Sequence, residues 1–442
     1  MVPVPKNTGI NSGYLRPGDG IVQFGTGPGV DRGGINWRGI YYRVMGTKLV
    51  SISDIGATTI LGDVGSGGEV TFDYSFDRLG IAAGGRLYYW NGIALTQVTD
   101  SDLGVVIDMV WVDGYFMTTD GTFLIVTELN DPYSVNPLKY GSSEANPDPV
   151  VGLLKVRNEV YALNRNTIEV FNNVGGDNFP FARIEGAQIQ RGPMGTYAAC
   201  VFLDSIAFVG SGFNEAPAIW LGSNGQTIKL SSREIDQQLL EYTEAQLAKV
   251  IVEQRIYRNH QALYVHLPDQ TIVYDAASSA QLGQPVWFQL TSSLVGRSLY
   301  RARNIIWVYD DWYCGDPASN VHGRLVDHIS THYDQTIGWD FGTEIVYNAG
   351  QGAIFHDLEL VCLTGRVAPN TDPVIWTSYT IDGVTWSQER SFKAGKLGDR
   401  NRRIKWLSQG YMRNWRAQKF RGTSDAHISI ARLEANLEGL TA

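Results

Sequence analysis

Short runs in which apolar and polar residues alternate recur between about residues 40 and 325, each closed by a tight turn and followed by a second such run. Alternation with period two sends successive side chains to opposite faces of a strand, so each unit reads as a hairpin with one apolar face. The units begin near Ile40 (IYYRVMGTKLVSIS), Leu79 (LGIAAGGRLYYWNG), Gly114 (GYFMTTDGTFLIVTEL), Val156 (VRNEVYALNRNTIEVFN), Ser205, Gln261 (QALYVHLPDQTIVYDA) and Asn304. Their starts lie 35 to 56 residues apart and average 44. Several second strands end in an aromatic residue plus Asn or Asp: Trp90-Asn91, Phe171-Asn172 and Tyr274-Asp275.

A period of 40 to 50 residues built only from strands is the pattern of β-propeller blades. A lone hairpin cannot bury its apolar face, whereas radial stacking covers both faces of every blade. Seven units predict a mostly β chain with a six- or seven-bladed β-propeller, the first and last units sharing one blade to close the ring. A string of unrelated hairpins is the plainer alternative.

Three segments depart from the repeat. Residues 1–35, rich in Gly, Pro and Asn, read as an N-terminal extended arm with little regular structure. Residues 231–253 (SSREIDQQLLEYTEAQLAKVIVE) carry Ile235, Leu239, Leu240, Leu247, Val250 and Ile251 at helical spacing, and Thr243 with Gln246 forms a capping box. They predict two short helices as an insertion outside the ring. The propeller is thus assigned to 36–335. From 336 to 442 longer alternating strands such as HDLELVCLTG and AHISIARLEA predict a separate C-terminal β-sandwich.

Composition narrows the picture. Gly makes up 49 of 442 residues and aromatics 11%, in keeping with many turns between aromatic-rich strands. Three cysteines, far apart and without a CxxC pair, disfavour a disulfide framework or a cysteine zinc site and fit a reducing compartment. The opening Met1-Val-Pro-Val-Pro-Lys lacks a basic stretch followed by an apolar run, so no secretory leader is expected. No run approaches 18 apolar residues, so no membrane-spanning helix and no membrane insertion are expected.

Catalytic signals are weak. Gly210-Ser211-Gly212 lacks the flanks of a nucleophile elbow, and the glycines of residues 25–34 neither follow a clear strand nor open a helix. His328 and His332 have the i, i+4 spacing of a helical metal pair, yet the residues between them do not favour a helix; they read as two polar surface histidines. Thr380-Ile-Asp-Gly-Val-Thr-Trp386 resembles an Asp-box turn with one residue missing, and reads as a hairpin turn. Asp310 and Asp311 beside Trp307, Trp312 and Tyr313 form the most sugar-site-like cluster, but nothing singles out a carboxylate pair. No catalytic residue, metal ligand or cofactor is therefore expected.

Charge is more telling. The net charge is −9, yet Arg390 to Arg421 holds eleven Lys/Arg and one acidic residue, Asp399. That segment is +10, which leaves −19 on the rest. Arg400, Arg402, Arg403, Lys405, Trp406, Arg413, Trp415 and Arg416 combine cations with tryptophans, a composition suited to docking on an acidic partner surface. The same residues could stack on bases and grip phosphates, or form a solvated sandwich face.

Several stretches carry a resemblance. They are Ser12-Gly-Tyr-Leu-Arg-Pro-Gly18, Tyr42-Arg-Val-Met-Gly-Thr-Lys-Leu49, Gly195-Thr-Tyr197 and Tyr242-Thr-Glu244. Leu263-Tyr-Val-His-Leu-Pro268, Ile272-Val-Tyr-Asp-Ala-Ala-Ser-Ser279, Cys314-Gly-Asp316, Gly323-Arg-Leu325 and Ile329-Ser-Thr-His-Tyr-Asp334 follow. Asp382-Gly-Val-Thr-Trp386 and Arg402-Arg-Ile-Lys-Trp406 complete the set. In order and spacing the chain resembles the packaged-DNA stabilisation proteins, also called tail accessory or tail hub proteins, of short-tailed bacteriophages of the Salmonella podovirus type. The resemblance implies a non-catalytic virion protein, assembled in the host bacterial cytoplasm. It implies a homo-hexameric tail hub below the portal and its head-to-tail adaptor. Such a hub would extend the DNA channel, retain packaged DNA until ejection, and bear the tail needle and tailspikes or tail fibres. An acidic bulk would let genomic DNA slide past with only passive contact. The alternative function is a carbohydrate-binding or glycoside-cleaving propeller, which should work as a monomer with a pocket lined by carboxylates and aromatics. A DNA-binding protein would instead show salt-sensitive binding lost on neutralising Arg402, Arg403 and Lys405.

Overall fold

The computed structural model describes residues 2–5, 13–129, 131–258 and 260–440. Seven antiparallel sheets, five of four strands and two of five, follow one another along the chain. Blade 1 runs Asp31–Trp37, Ile40–Met45, Lys48–Ile52, Thr58–Asp63, and blade 2 runs Thr71–Tyr74, Leu79–Ala83, Arg86–Trp90, Leu95–Gln97. Blade 3 starts at Asp108–Val112, blade 4 at Val150–Val156, blade 5 at Ala199–Phe202, blade 6 at Ile251–Tyr257 and blade 7 at Arg303–Val308. The first strand of each blade packs on the first strand of the next, and that of blade 7 packs on that of blade 1. The ring is therefore a closed, seven-bladed propeller.

Blades form where the sequence alternates, and several of their hairpins turn within two residues. In four of the inner hairpins both turn residues have positive φ: Arg38-Gly39, Asp113-Gly114, Leu203-Asp204 and Tyr309-Asp310. That geometry matches the right-handed twist of the flanking strands. Apolar clusters then fill each interface between neighbouring blades. Between blades 1 and 2, for example, Tyr42, Val44 and Leu49 meet Leu79, Ile81 and Tyr88.

The chain divides into two compact units. One comprises Gln23–Trp287 and Tyr300–Arg324; the other comprises Met1–Val22, Phe288–Leu299 and Leu325–Ala442. In the second unit, one sheet orders Val2–Pro5, Gly13–Arg16, Ser429–Gly439, Ala353–Leu363 and Ile404–Leu407. The other orders Gly338–Gly342, Trp415–Thr423, Val374–Thr380 and Arg390–Lys393. Trp339, Leu360, Ile375, Ile404, Trp406 and Phe420 are buried together between them, which makes this unit a β-sandwich.

Two expectations need correction. Residues 1–35 are not an extended arm with little regular structure; Met1 and Lys6 to Ser12 lie outside the described residues. Gly20–Thr26 is the fourth strand of blade 7, Asp31–Trp37 opens blade 1, and Leu15 pairs with Ile430. Glycine conceals these strands because it leaves no apolar alternation to read. Its role here is close approach: a Cβ on Gly25 would lie 2.4 Å from the Gly56 carbonyl oxygen and 2.6 Å from His322 Nε2. The helices Arg233–Leu239 and Glu244–Leu247 exist, with the Thr243–Gln246 capping box, but the chain is a strand again from Ile251. They are not an outside decoration. Ile235, Leu239 and Leu247 are buried with Val209 and Ile219 of blade 5 and Val252 and Leu263 of blade 6.

Polar groups stitch the ring. Where blade 7 meets blade 1, Asp31 Oδ1 accepts from Arg43 Nη1 at 3.1 Å and Oδ2 accepts from Asn304 Nδ2 at 2.8 Å. Both charged side chains are fully buried. Burial pushes the Asp31 carboxyl up, against the opposing pull of Arg43. Asp31→Ala is expected to destabilise the chain by about 3–5 kcal/mol in urea unfolding, because it leaves the buried Arg43 without its carboxylate. Asp31→Leu combined with Arg43→Met should lose markedly less.

Asp108 does the same between blades 3 and 4, accepting from Leu153 N at 2.7 Å as well as from Thr71 Oγ1 at 2.6 Å. Burial pushes its carboxyl up to about 6 from 3.8, so the folded chain holds this proton more tightly than the unfolded chain. The Asp108 contribution is then fullest at low pH and is lost as pH rises toward 6. Measured against Asp108→Asn, native stability should therefore fall by up to about 3 kcal/mol between pH 4 and pH 7.

Candidate docking surface

The basic segment lies in the sandwich unit and is folded from four strands and the loops between them. Strand Ile404–Leu407 pairs with Ala353–Leu363, setting Leu358 opposite Trp406 and Glu359 opposite Lys405. Period two then turns Ile404 and Trp406 inward and Lys405 outward. Strand Trp415–Thr423 alternates in the same way, with Arg416, Gln418 and Phe420 inward.

Five of the eleven cations already have a carboxylate from the same unit. Arg403 is bidentate on Glu359, and Lys405 lies 3.1 Å from Asp357. Lys393 is 3.0 Å from Asp372, Lys419 is 2.9 Å from Asp340, and Arg421 is paired with Glu389. Hydrogen bonds from Arg403 hold Glu359 below the usual carboxylate range, as those from Arg421 do for Glu389. Arg390 donates from Nη1 to the carbonyls of Leu407 and Ser408 at 2.7 and 2.8 Å. Among the described residues, Lys396, Arg400, Arg402 and Arg413 have no carboxylate within 4.0 Å, and all four are exposed.

Three of these four belong to one loop. Its conformation is set by Asp399, whose Oδ2 accepts from Lys396 N at 3.0 Å, and by Thr364 Oγ1, which donates to the Asp399 carbonyl at 2.7 Å. The one acid of the segment is thus turned onto its own loop. The guanidinium of Arg402 lies 5.4 Å from the Phe392 ring centroid. Arg366, also exposed, neighbours this loop, since a Cβ on Gly365 would lie 3.2 Å from Arg400 N.

The set named from sequence therefore separates. Arg400, Arg402 and Arg413 face solvent with free charge. Arg403 and Lys405 face solvent but are neutralised. Trp415 is half-buried. Trp406 is corrected as a docking group, since it packs among Leu360, Ile375 and Phe420 in the core, and Arg416, 1% exposed, is corrected as a member of the solvent-facing set. Consecutive listing of the cations concealed a strand that hides every second side chain. Arg366 was missed because it lies outside the segment, and only the fold brings it near.

The other candidate chemistry resolves similarly. His328 is exposed, but His332 is buried, with Nδ1 2.8 Å from Ser292 Oγ; the reading of two surface histidines fails for His332. Asp311 pairs with Arg324 at 3.5 Å, and Trp307 and Trp312 pack edge to face. Asp382 closes its own turn by accepting from Val384 N and Thr385 N at 2.9 and 2.8 Å. Those bonds and the Thr385 hydroxyl hold its carboxyl well below the usual range. One triad-like chain was not foreseen. His266 lies 2.9 Å from Thr271 Oγ1 and 2.6 Å from Glu253 Oε1, while Glu253 Oε2 accepts from Ile305 N at 2.7 Å. Thr271 and His266 are buried in blade 6, so this chain ties blade 6 to blade 7.

The burial difference is measurable. Trp406→Ala should cost about 3–5 kcal/mol of sandwich stability, whereas Arg403→Ala, which removes only an exposed ion pair, should cost less than about 1 kcal/mol. Thermal or urea unfolding of both variants checks this.

Comparison with known proteins agrees over nearly the whole chain. Residues 1–330 match the family described as Bacteriophage P22 Gp10, beta-propeller, and residues 338–438 match the one described as Bacteriophage P22 Gp10, beta-sandwich. The tail hub protein gp10 of Salmonella phage P22 is 28% identical over 459 residues, covering 99% of this chain and 94% of that protein. Among solved structures, the Neurospora crassa Pan2 WD40 domain is similar at a TM-score of 0.45 and 12% identity, covering 71% of this chain and 99% of that one. The N-terminal domain of Nup159 is similar at 0.42 and 10% identity, covering 73% and 98%. With its propeller and its sandwich both matched, the chain belongs to the bacteriophage P22 Gp10 family.

Proposed function

We propose that this chain is a structural, non-enzymatic tail hub of a bacteriophage virion. In this reading it forms a homo-hexamer below the portal and its adaptor, extends the DNA channel, retains packaged DNA, and carries the tail needle and tailspikes or fibres. One observation carries the reading: the identity to the P22 tail hub protein extends over 99% of the chain, so it takes in the propeller and the sandwich alike.

The chemistry of the chain fits such a role. Inter-blade carboxylates make the propeller a rigid module. The free cations Lys396, Arg400 and Arg402, with Arg366 beside them, offer a compact positive patch for an acidic partner surface of the assembled tail. Cys200 and Cys362 are free thiols, in keeping with assembly in the host cytoplasm. The acidic excess outside the basic segment suits passive contact with genomic DNA.

Electron microscopy of assembled particles containing this chain tests the reading through symmetry: a six-fold ring coaxial with a portal-like complex is expected. Monomers or dimers in material that should be assembled would sink it. In the same preparation, Arg400→Ser with Arg402→Ser should reduce incorporation at physiological salt by about tenfold, with the wild type approaching that level as salt is raised. A double variant that incorporates normally at all salt concentrations would remove this loop from the docking surface.

A further inference from the structure

Arg416 is the odd residue of the sandwich. Its strand alternates inward and outward, and the inward positions should be apolar, yet Arg416 and Gln418 occupy two of them. The guanidinium carbon of Arg416 lies 4.2 Å from the Phe355 ring centroid and 3.7 Å from that of Tyr379. Its hydrogen bonds go only to neutral acceptors: Gln418 Oε1 at 3.1 and 2.9 Å, and the Gln409 carbonyl at 2.7 Å. Burial pushes Arg416 down to about 10, which leaves it charged at neutral pH. A buried cation without a carboxylate costs several kcal/mol, and an apolar residue would fill the place without that cost.

The residue also lines an opening. A cavity of about 340 Å³ is bounded by Arg416, Phe355 and Leu358 on its buried side. Leu433, Ala435 and Leu437, at alternate positions of strand Ser429–Gly439, line it as well. Ile345 and Leu437 are 61% and 43% exposed, so the cavity opens to the surface. Glu344 also lines it; it is exposed and has no cation within 4.0 Å among the described residues. Side chains spaced by two along a strand match the side-chain repeat of an extended peptide, and the volume admits a few side chains and not a helix.

We infer that this cavity receives an extended segment of a partner protein that presents a carboxylate side chain between apolar ones, the carboxylate meeting Arg416. The terminal N–H groups of Arg416 not used by Gln418 and Gln409 supply the donors. The flanking apolar side chains cover Leu433, Ala435 and Leu437, which removes exposed apolar area from water. The inference rests on the docking reading only in taking a partner protein as occupant. The Arg400 and Arg402 variants test that reading on a different surface, so either can fail alone.

The test uses the full chain and two probe peptides, acetyl-Val-Leu-Glu-Leu-Val-amide and the same peptide with Gln for Glu. Methyl resonances of Leu433 and Leu437 report binding. The Glu peptide should shift them saturably and bind at least tenfold more tightly than the Gln peptide. Arg416→Met should abolish that preference without lowering stability, and Ala435→Trp, on the exposed strand, should block both peptides. Should Arg416→Met not fold, the peptide pair and Ala435→Trp decide the matter. Equal affinity for the two peptides, no shift at either methyl, or unchanged binding to Ala435→Trp overturns the inference. If Glu344→Gln alone creates or abolishes the preference, the resident carboxylate of Glu344 is the group that meets Arg416, and the inference falls.

Discussion

The Asp31 carboxylate, held by Arg43 and by Asn304 inside the junction of blades 1 and 7, is where the ring must close. A propeller is a set of blades that each lack a partner until the last meets the first, and here that meeting is doubly specified. Gly20–Thr26 supplies the fourth strand of blade 7 from the start of the chain, while Asp31, a few residues on, enters the inner strand of blade 1. One short stretch of sequence thus belongs to both sides of the seam. The seam tolerates no bulk: a Cβ on Gly315 would lie 2.0 Å from the Asp31 carboxyl carbon. With both ions of the pair buried, its value lies in register more than in net stability, since an apolar pair would pack there at no desolvation cost.

The same device recurs around the ring. Asp73 of blade 2 accepts from Trp111 N of blade 3 at 2.6 Å, Asp108 of blade 3 from Leu153 N of blade 4, and Glu253 of blade 6 from Ile305 N of blade 7. Each carboxylate satisfies a backbone N–H of the next inner strand, which has no ladder partner on that side. Part of the chain's acidic excess is therefore structural.

This explains what the sequence made legible. Blade hairpins could be read because apolar alternation and two-residue turns are local signals. The blade count narrowed only to six or seven, because closure depends on a strand from a glycine-rich stretch that shows no alternation. The helices near 233–247 were visible from Leu and Ile spacing, but their burial between blades 5 and 6 was not, since amphipathic spacing does not say what covers the apolar face. The helix Ala276–Leu282, capped by Asp275, went unread because its Ala and Ser residues carry no periodic apolar signal. In the basic segment the cations were plain, while their pairing was not. Glu359, Asp357, Asp340 and Glu389 lie up to about 80 residues away and reach the cations only across strands.

Formal charge along a chain is thus a poor guide to the charge a partner meets. The segment of +10 presents five cations that are already paired, one that binds carbonyls, and one that is buried; four remain free. Of those four, three sit in a loop whose own acid, Asp399, is occupied by backbone. A loop so arranged has a fixed shape and unspent charge, the two properties that favour steering and orientation of a partner over brute affinity. Arg416 is the complement of that loop, a cation whose charge is unspent because it is buried among aromatic rings and amides. Exposed free charge sets the approach of a partner, and buried free charge discriminates among those that arrive, because only a ligand that brings its own carboxylate is compensated for losing water.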